Sequence, residues 1–398
     1  MTDGPVIKGP IVQGPIVQGP IVQGPIVQGP IIQGWCPGAL RPMESGDGWV
    51  VRIRPYGGRL TPVQVQGIAN LAQRFGNGLI DLSSRANLQL RGVTTDTHTP
   101  LIKGLRALGL IDKSEQIEAQ RNVIMSPFWG PTDGALNMAN AVAAALTSLS
   151  HLPSKFGAGV DIGAHPVLRE VSCDIRVEKA EGGFLVFPDG AKTGTIVTRA
   201  EVGNALRDLG QWFIDAGGII DGRGRMRALN VPLPERFCQA AVPKAPTFAP
   251  RSMLTDQGAM VGVAFGQMHA ETLAKLGALW PLRITPWRMV LLEGARAMPQ
   301  IAGILAAADP ILNVDACVGG PACKQAFGPT RDLARRLAPL TSQRLHVTGC
   351  AKGCAHPRPA PITITATTTG YDLTASGHGA QSGLTPDQLA QWISTNAP

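Results

Sequence analysis

The chain repeats itself, and this limits its fold more than any other feature. Residues 82–92, Leu-Ser-Ser-Arg-Ala-Asn-Leu-Gln-Leu-Arg-Gly, line up with residues 284–294, Ile-Thr-Pro-Trp-Arg-Met-Val-Leu-Leu-Glu-Gly. The hydrophobic pattern before each runs in the same order. In the first copy Trp49–Arg54 alternates as a strand, Thr61 caps a helix through Val65, Ile68 and Ala72, and 79–82 and 87–93 form two strands. In the second copy a strand over 260–265 precedes a short helix over 271–276 and a strand pair over 282–293. The regions that follow also match. Strand, helix, strands and helix over 122–214 recur in order over 312–393. Each copy has to bury its own sheet, and ligand sites commonly form at such interfaces.

With 398 residues the chain has room for several compact units. Residues 4–34 are a Gly-Pro-Ile-Val-Gln repeat. Its prolines and glycines oppose helix, and its apolar pairs have nothing to pack against, so 1–34 is expected to be disordered. The folded body is expected from Trp35 onward, with a proline- and alanine-rich linker over 241–252 between the copies.

Only the second copy carries a paired cysteine pattern: Cys317 and Cys323, then Cys350 and Cys354. The spacings, C-x5-C and C-x3-C, are wider than the two-residue gap common in zinc knuckles. An iron–sulfur cluster or zinc could use four thiolates. The chain has seven cysteines and no secretory leader pattern, so a disulfide scaffold is not expected and a cytoplasmic location is. Cys36, Cys173 and Cys238 read as inert thiols. No apolar run is long enough to span a bilayer.

The formal charge is +8, and arginine stands out in it. The basic residues are scattered, with Arg52, Arg54, Arg59, Arg85 and Arg91 early and Arg223, Arg225 and Arg227 later. That distribution does not form the basic block of a nucleic-acid protein. Alternating arginines on an extended segment would place several guanidinium groups on one face, suited to a polycarboxylate.

The duplication, the cysteines and the arginine motifs together resemble the nitrite and sulfite reductase superfamily, from Trp35 onward. Ser84-Arg85 with Gln89, Arg121-Asn122-Val123 with Ser126-Pro127, and Leu152-Pro153-Ser154-Lys155-Phe156 resemble its cofactor-facing segments. The resemblance implies an α+β, internally duplicated fold with two ferredoxin-like half-domains and two larger sheet-and-helix domains around a cofactor cleft. The domains are then 35–100 and 101–240 in the first copy, and 253–308 and 309–398 in the second. It also implies that Cys317, Cys323, Cys350 and Cys354 hold a [4Fe-4S] cluster, and that Arg54, Arg85, Arg121, Lys155, Arg223 and Arg225 contact substrate.

Sulfite reductases carry a second lysine two residues after the first, where this chain has Gly157. That departure, the compact length and the opening Trp35-Cys36-Pro37-Gly38 make the chain resemble the monooxygenase branch, the precorrin-3B synthases of aerobic cobalamin biosynthesis. The resemblance implies insertion of one O2-derived oxygen at a meso carbon of precorrin-3A, with lactone formation by an acetate arm. NADH is the ultimate reductant, and a mononuclear non-haem iron is expected beside the cluster in place of sirohaem. His151, His165, His269 and His356, with Asp161, Glu170 and Asp174, are available as iron ligands, but no spacing selects among them. No Gly-x-Gly-x-x-Gly segment opens a helix, so electrons are expected from a separate reductase or ferredoxin. A sirohaem-dependent sulfite or nitrite reductase and a non-catalytic electron-transfer or tetrapyrrole-binding protein are the alternatives. Neither nucleic acid nor membrane is expected as a partner.

Overall fold

The computed structural model describes residues 37–245, 247–356 and 358–397. The pentapeptide repeat, Trp35 and Cys36, on which expectations were stated above, lie outside the described residues. The first copy opens with β1 (Met43–Ser45), β2 (Gly48–Ile53), β3 (Arg59–Leu60), α1 (Pro62–Phe75), β4 (Leu79–Leu82), β5 (Leu88–Val93) and α2 (Thr95–Ala107). It continues with α3 (Glu115–Gln120), β6 (Val123–Met125), α4 (Ala135–Thr147), β7 (Ala158–Asp161), β8 (Ile175–Ala180), β9 (Gly183–Pro188), β10 (Thr193–Val197), α5 (Val202–Asp215) and β11 (Ala240–Ala241). The second copy starts with β12 (Met253–Thr255), β13 (Gly258–Gly262), β14 (Gln267–His269), α6 (Ala270–Gly277), β15 (Leu282–Ile284) and β16 (Met289–Glu293). It ends with β17 (Val314–Ala316), α7 (Arg331–Leu337), β18 (Leu345–Thr348), β19 (Ile362–Thr367), β20 (Gly370–Ala375), β21 (Gln381–Leu384) and α8 (Pro386–Asn396).

The fold is α+β and duplicated, but the copies exchange strands. The small sheet of the first copy has the order β1-β2-β5-β4-β14, and that of the second β12-β13-β16-β15-β3. Each copy thus completes the other's sheet. The redirection is built by equivalent turns: Gly57 and Gly58 before β3 have φ of 60° and 68°, and Phe265 and Gly266 before β14 have 57° and 71°. Left-handed backbone is easy for glycine and costly for Phe265. The two small sheets consequently share one core, in which Val51, Ile53, Leu88 and Leu90 cluster with Val261, Val290 and Leu292.

Helices α1 and α6 pack closely between them. A Cβ on Gly277 would come within 2.3 Å of a Val65 methyl, and Gln66 donates to the Ala274 carbonyl at 2.5 Å. Helix α1 starts where its sequence says it should. Thr61 and Gln64 form a reciprocal capping box, an arrangement whose cap is typically worth about 0.5–2 kcal/mol.

The larger sheets also correspond, with orders β11-β10-β9-β8-β7-β6 and β17-β18-β19-β20-β21. In each, the first two pairings are parallel, β6 with β7 and β7 with β8, then β17 with β18 and β18 with β19. Met125 pairs with Val160 as Ala316 pairs with Val347. Ser126 therefore occupies the place in the first copy that Cys317 occupies in the second.

Candidate functional site

The arginine wall comes from the first copy. Arg121 caps the C-terminus of α3, and its guanidinium makes two parallel bonds to Asp112, each 2.9 Å. It also donates to the Arg54 carbonyl at 2.8 Å and lies 4.0 Å from the centre of the Tyr56 ring. The Tyr56 hydroxyl closes the arrangement on Asp112 at 2.9 Å. This pair is largely buried, so Arg121 is fixed in direction before any ligand arrives. Arg54, Arg85, Asn87, Arg121 and Asn122 line one pocket of about 380 Å³, its open mouth included. It is far too small for a whole macrocycle.

Arg85 sits in the β4–β5 turn and donates to the Lys155 carbonyl at 2.8 Å, so these two predicted residues are neighbours. The Lys155 segment is braced from below. Asn122 gives its side-chain amide to the carbonyls of Ser154 and Phe156 at 2.9 and 3.0 Å. Gly157 then lies between Asn122 and Asp174, to which its N–H donates at 3.0 Å. A Cβ at Gly157 would lie 2.5 Å from the Asn122 carbonyl oxygen. The position is closed to side chains, so a second lysine has no place there.

Arg225 reaches the same neighbourhood at one remove. It pairs with Asp174 at 2.9 Å and donates to Ser172 and to the Cys173 carbonyl. Arg223 does not join them. The expected extended segment over 223–227 is instead a turn, with Asp221 and Gly222 at φ of 50° and 69° and a 3₁₀ turn over Met226–Ala228. Its arginines therefore do not share a face: Arg223 is at an exposed turn and Arg227 pairs with Asp189. Arg91 is likewise occupied, buried against Asp47 and Asp81. Cys173 is buried, and that burial pushes its thiol up to about 11, against the pull of Arg176 and Arg85.

The cysteine wall comes from the loops after β17 and β18. The Cys317 sulfur accepts from the Gly349 N–H at 3.2 Å, and the Thr330 hydroxyl donates to the Cys317 carbonyl at 2.6 Å. Phe327 N–H donates to the Gly349 carbonyl at 2.8 Å, which ties the two loops together. Cys354 is at the exposed rim. Protein packed around its sulfur raises its thiol, opposed by Lys352, and the charges of Cys317, Cys350 and Cys323 raise it further. Cys317 and Cys323 lie on the loop after β17, and Cys350 and Cys354 on the loop after β18. Among the described residues no three His, Cys, Asp or Glu side chains close around a single metal ion. A four-iron cluster is wider than one ion, and the donor set, four cysteines with a backbone N–H on one sulfur, fits it. A buried Arg331 Nε without an acceptor among the described residues also fits an anionic group held there.

The histidines expected as iron ligands are dispersed. His151, His165 and His269 are exposed. His356 lies 3.3 Å from Asp315 and edge-on to His346, a residue the sequence reading missed. Asp315 is itself held by Arg344 at 2.7 Å and Arg288 at 3.7 Å. Burial pushes His346 down to about 4. A carboxylate already clamped by two guanidinium groups makes a poor ligand, so these residues do not fit a lone iron. The visible signal for His346 is its register, directly opposite Asp315 on β17.

The loops after β17 and β6 are each clamped to the opposite small sheet. The loop after β17 meets the β1–β2 hairpin through Gly46 N–H and the Ser45 hydroxyl, both donating to the Ala322 carbonyl, and through the Lys324–Glu44 pair. The loop after β6 is held by Arg283, which donates to the Pro127 and Trp129 carbonyls and lies over the Trp129 ring at 3.7 Å. Across the middle, Glu170 of the loop after β7 pairs with Arg358 of the loop after β18. The copies differ where it matters for an anion. Trp287 holds the position of Arg85, and Phe248 and Phe128 pack against it.

Residues 41–108 match the nitrite/sulfite reductase ferredoxin-like half domain. Over 391 residues the chain is 28% identical to a precorrin-3B synthase of Sinorhizobium sp, covering 88% of this chain and 84% of that one. The chain is thus similar, along most of its length, to proteins of the nitrite and sulfite reductase kind. A ferredoxin–nitrite reductase of Synechococcus elongatus is 24% identical over 81% of this chain and 77% of its own length. The Mycobacterium tuberculosis NirA protein shares the fold, with a TM-score of 0.63 at 19% identity over 87% of this chain and 79% of that one. The Glu170–Arg358 pair and the contacts of Ser45 and Gly46 with the Ala322 carbonyl join the first copy to the cysteine-bearing loops of the second. No helix among the described residues is long and apolar enough to cross a membrane.

Proposed function

We propose that this chain is a precorrin-3A monooxygenase that forms precorrin-3B for ring contraction in aerobic cobalamin biosynthesis. The observation that carries the proposal is the closed position at Gly157, beside a wall of pre-oriented arginines. A small oxyanion needs converging cations around one point. Here the second lysine is excluded, and the guanidinium groups are spread as the arms of a flat polyanion require. The similarity to a precorrin-3B synthase along most of both chains supports the same reading.

Arg121, held by Asp112 and Tyr56, receives a carboxylate arm without first having to be ordered. Arg85, tied to the Lys155 backbone, and Lys155 itself receive others. Guanidinium groups beside an acetate arm keep it ionised, which is the form that can close a lactone. One oxygen atom of O2 enters the substrate and the other leaves as water, taking up electrons and protons derived from NADH through a separate donor. A [4Fe-4S] cluster on Cys317, Cys323, Cys350 and Cys354 would supply those electrons one at a time. No step is assigned to a lone iron.

The test is aerobic turnover by cluster-loaded protein with precorrin-3A and a one-electron donor. Oxygen uptake that requires both additions, with a lactone product, supports the proposal. Reduction of sulfite or nitrite, with a sirohaem absorption band and no oxygenated product, refutes it in favour of the reductase reading.

A further inference from the structure

We propose that Arg331 sets the reduction potential of the cluster held by Cys317, Cys323, Cys350 and Cys354, its guanidinium stabilising the reduced state. The inference rests on the cluster reading above. Arg331 is the first residue of α7, directly after Thr330, whose hydroxyl donates to the Cys317 carbonyl at 2.6 Å. Its side chain is 17% exposed, and its Nε is buried with no acceptor among the described residues. The carboxylate in ion-pair reach is Asp81, at 3.7 Å. Asp81 is already engaged more closely, by Arg91 at 3.0 Å and by Gln267 at 2.7 Å. Arg331 is therefore a cation beside the cysteine set that its carboxylate only loosely offsets.

The contrast with Arg288 sharpens this assignment. Arg288 also reaches the cluster loops, donating to the Ala355 carbonyl at 2.7 Å, but its partner Asp315 lies on β17, in the same copy. Asp81 belongs to β4, in the first copy. Burial lowers the proton affinity of Arg331, while Asp81 and Cys317 pull the other way.

When the cluster accepts one electron from a donor, which loses one, its net negative charge grows by one. A nearby buried cation favours that state, and an N–H facing sulfur does the same. Arg331 would thereby ease electron entry from a weak donor. Because Asp81 is in the arginine-bearing half, the same network would link the cluster's potential to that half.

The experiment is a dithionite redox titration of the cluster, followed by electron paramagnetic resonance, on the full chain and three variants. Arg331→Gln is expected to lower the midpoint potential, Arg331→Lys to keep most of the original value, and Asp81→Asn to raise it. A wild-type midpoint in Arg331→Gln, at unchanged iron and sulfide content, overturns the proposal. If Arg331→Gln takes up no cluster, Asp81→Asn decides: a rise supports the assignment, and an unchanged or lower value overturns it. Wild-type protein that binds no iron and sulfide overturns the underlying cluster reading, and this inference with it.

Discussion

Gly157→Ala adds a single methyl group at the position that separates the oxygenase reading from the sulfite-reductase one. The new Cβ would stand 2.5 Å from the Asn122 carbonyl oxygen and 2.9 Å from its Cβ, and both neighbours are fixed, one in backbone and one at the root of a side chain. Relief requires Asn122 to move by several tenths of an ångström. Asn122 cannot do so freely, because its amide holds the Ala119, Ser154 and Phe156 carbonyls at 2.8, 2.9 and 3.0 Å. Overpacking of this kind costs about 1–3 kcal/mol. The loss should appear in urea denaturation as a lower midpoint at unchanged slope, and Gly157→Lys should lose at least as much without gaining sulfite reduction. A Gly157→Ala protein as stable as the wild type would show that the site is open, and the argument against an oxyanion reductase would fall.

Asp112→Asn leaves the largely buried Arg121 guanidinium without its carboxylate and should cost about 3–5 kcal/mol in chemical denaturation; in the protein that remains folded it should raise the KM for precorrin-3A about tenfold or more, read by steady-state kinetics. Arg91→Ala takes the closest cation from the half-buried carboxylates Asp47 and Asp81 and should cost about 1–3 kcal/mol in chemical denaturation. Asp161 is buried, and that burial raises its carboxyl to about 6 from an ordinary 3.8. A raised carboxyl favours the folded state most when protonated, so its contribution is full below pH 3.8 and lost as pH climbs through 6, about 3 kcal/mol in all. Asp161→Asn should remove that pH dependence from the stability curve between these values.

Much of the fold was legible because its signals are local. Capping residues and periodicity placed α1, β4, β5 and α6 close to their observed bounds. Helix α2 was missed because its first turn, Thr95-Asp96-Thr97-His98, is polar and Pro100 lies inside it, although Thr94 caps it with Thr97. The strand exchange could not be read. β3 has two residues and β14 three, too few to show a period, and their pairing joins residues far apart in the chain. Arg85, Arg121 and Lys155 were found by motif and Arg54 by the alternation of basic residues; the three arginines line one pocket, and Arg85 meets the Lys155 carbonyl. The run at 223–227 misled because alternation implies a face only on an extended backbone, and Asp221 and Gly222 turn the chain there. His346 and Arg331 carry no motif. Their roles follow from tertiary neighbours, Asp315 and Cys317 respectively, which periodicity does not report.

The central claim is that this chain places one atom of O2 on precorrin-3A. Turnover under isotopically labelled O2, with the product read by mass spectrometry, tests it most directly. The account predicts one labelled oxygen atom per product molecule and label in the water released. A product without label, or unchanged precorrin-3A beside reduced nitrite or sulfite, would contradict it.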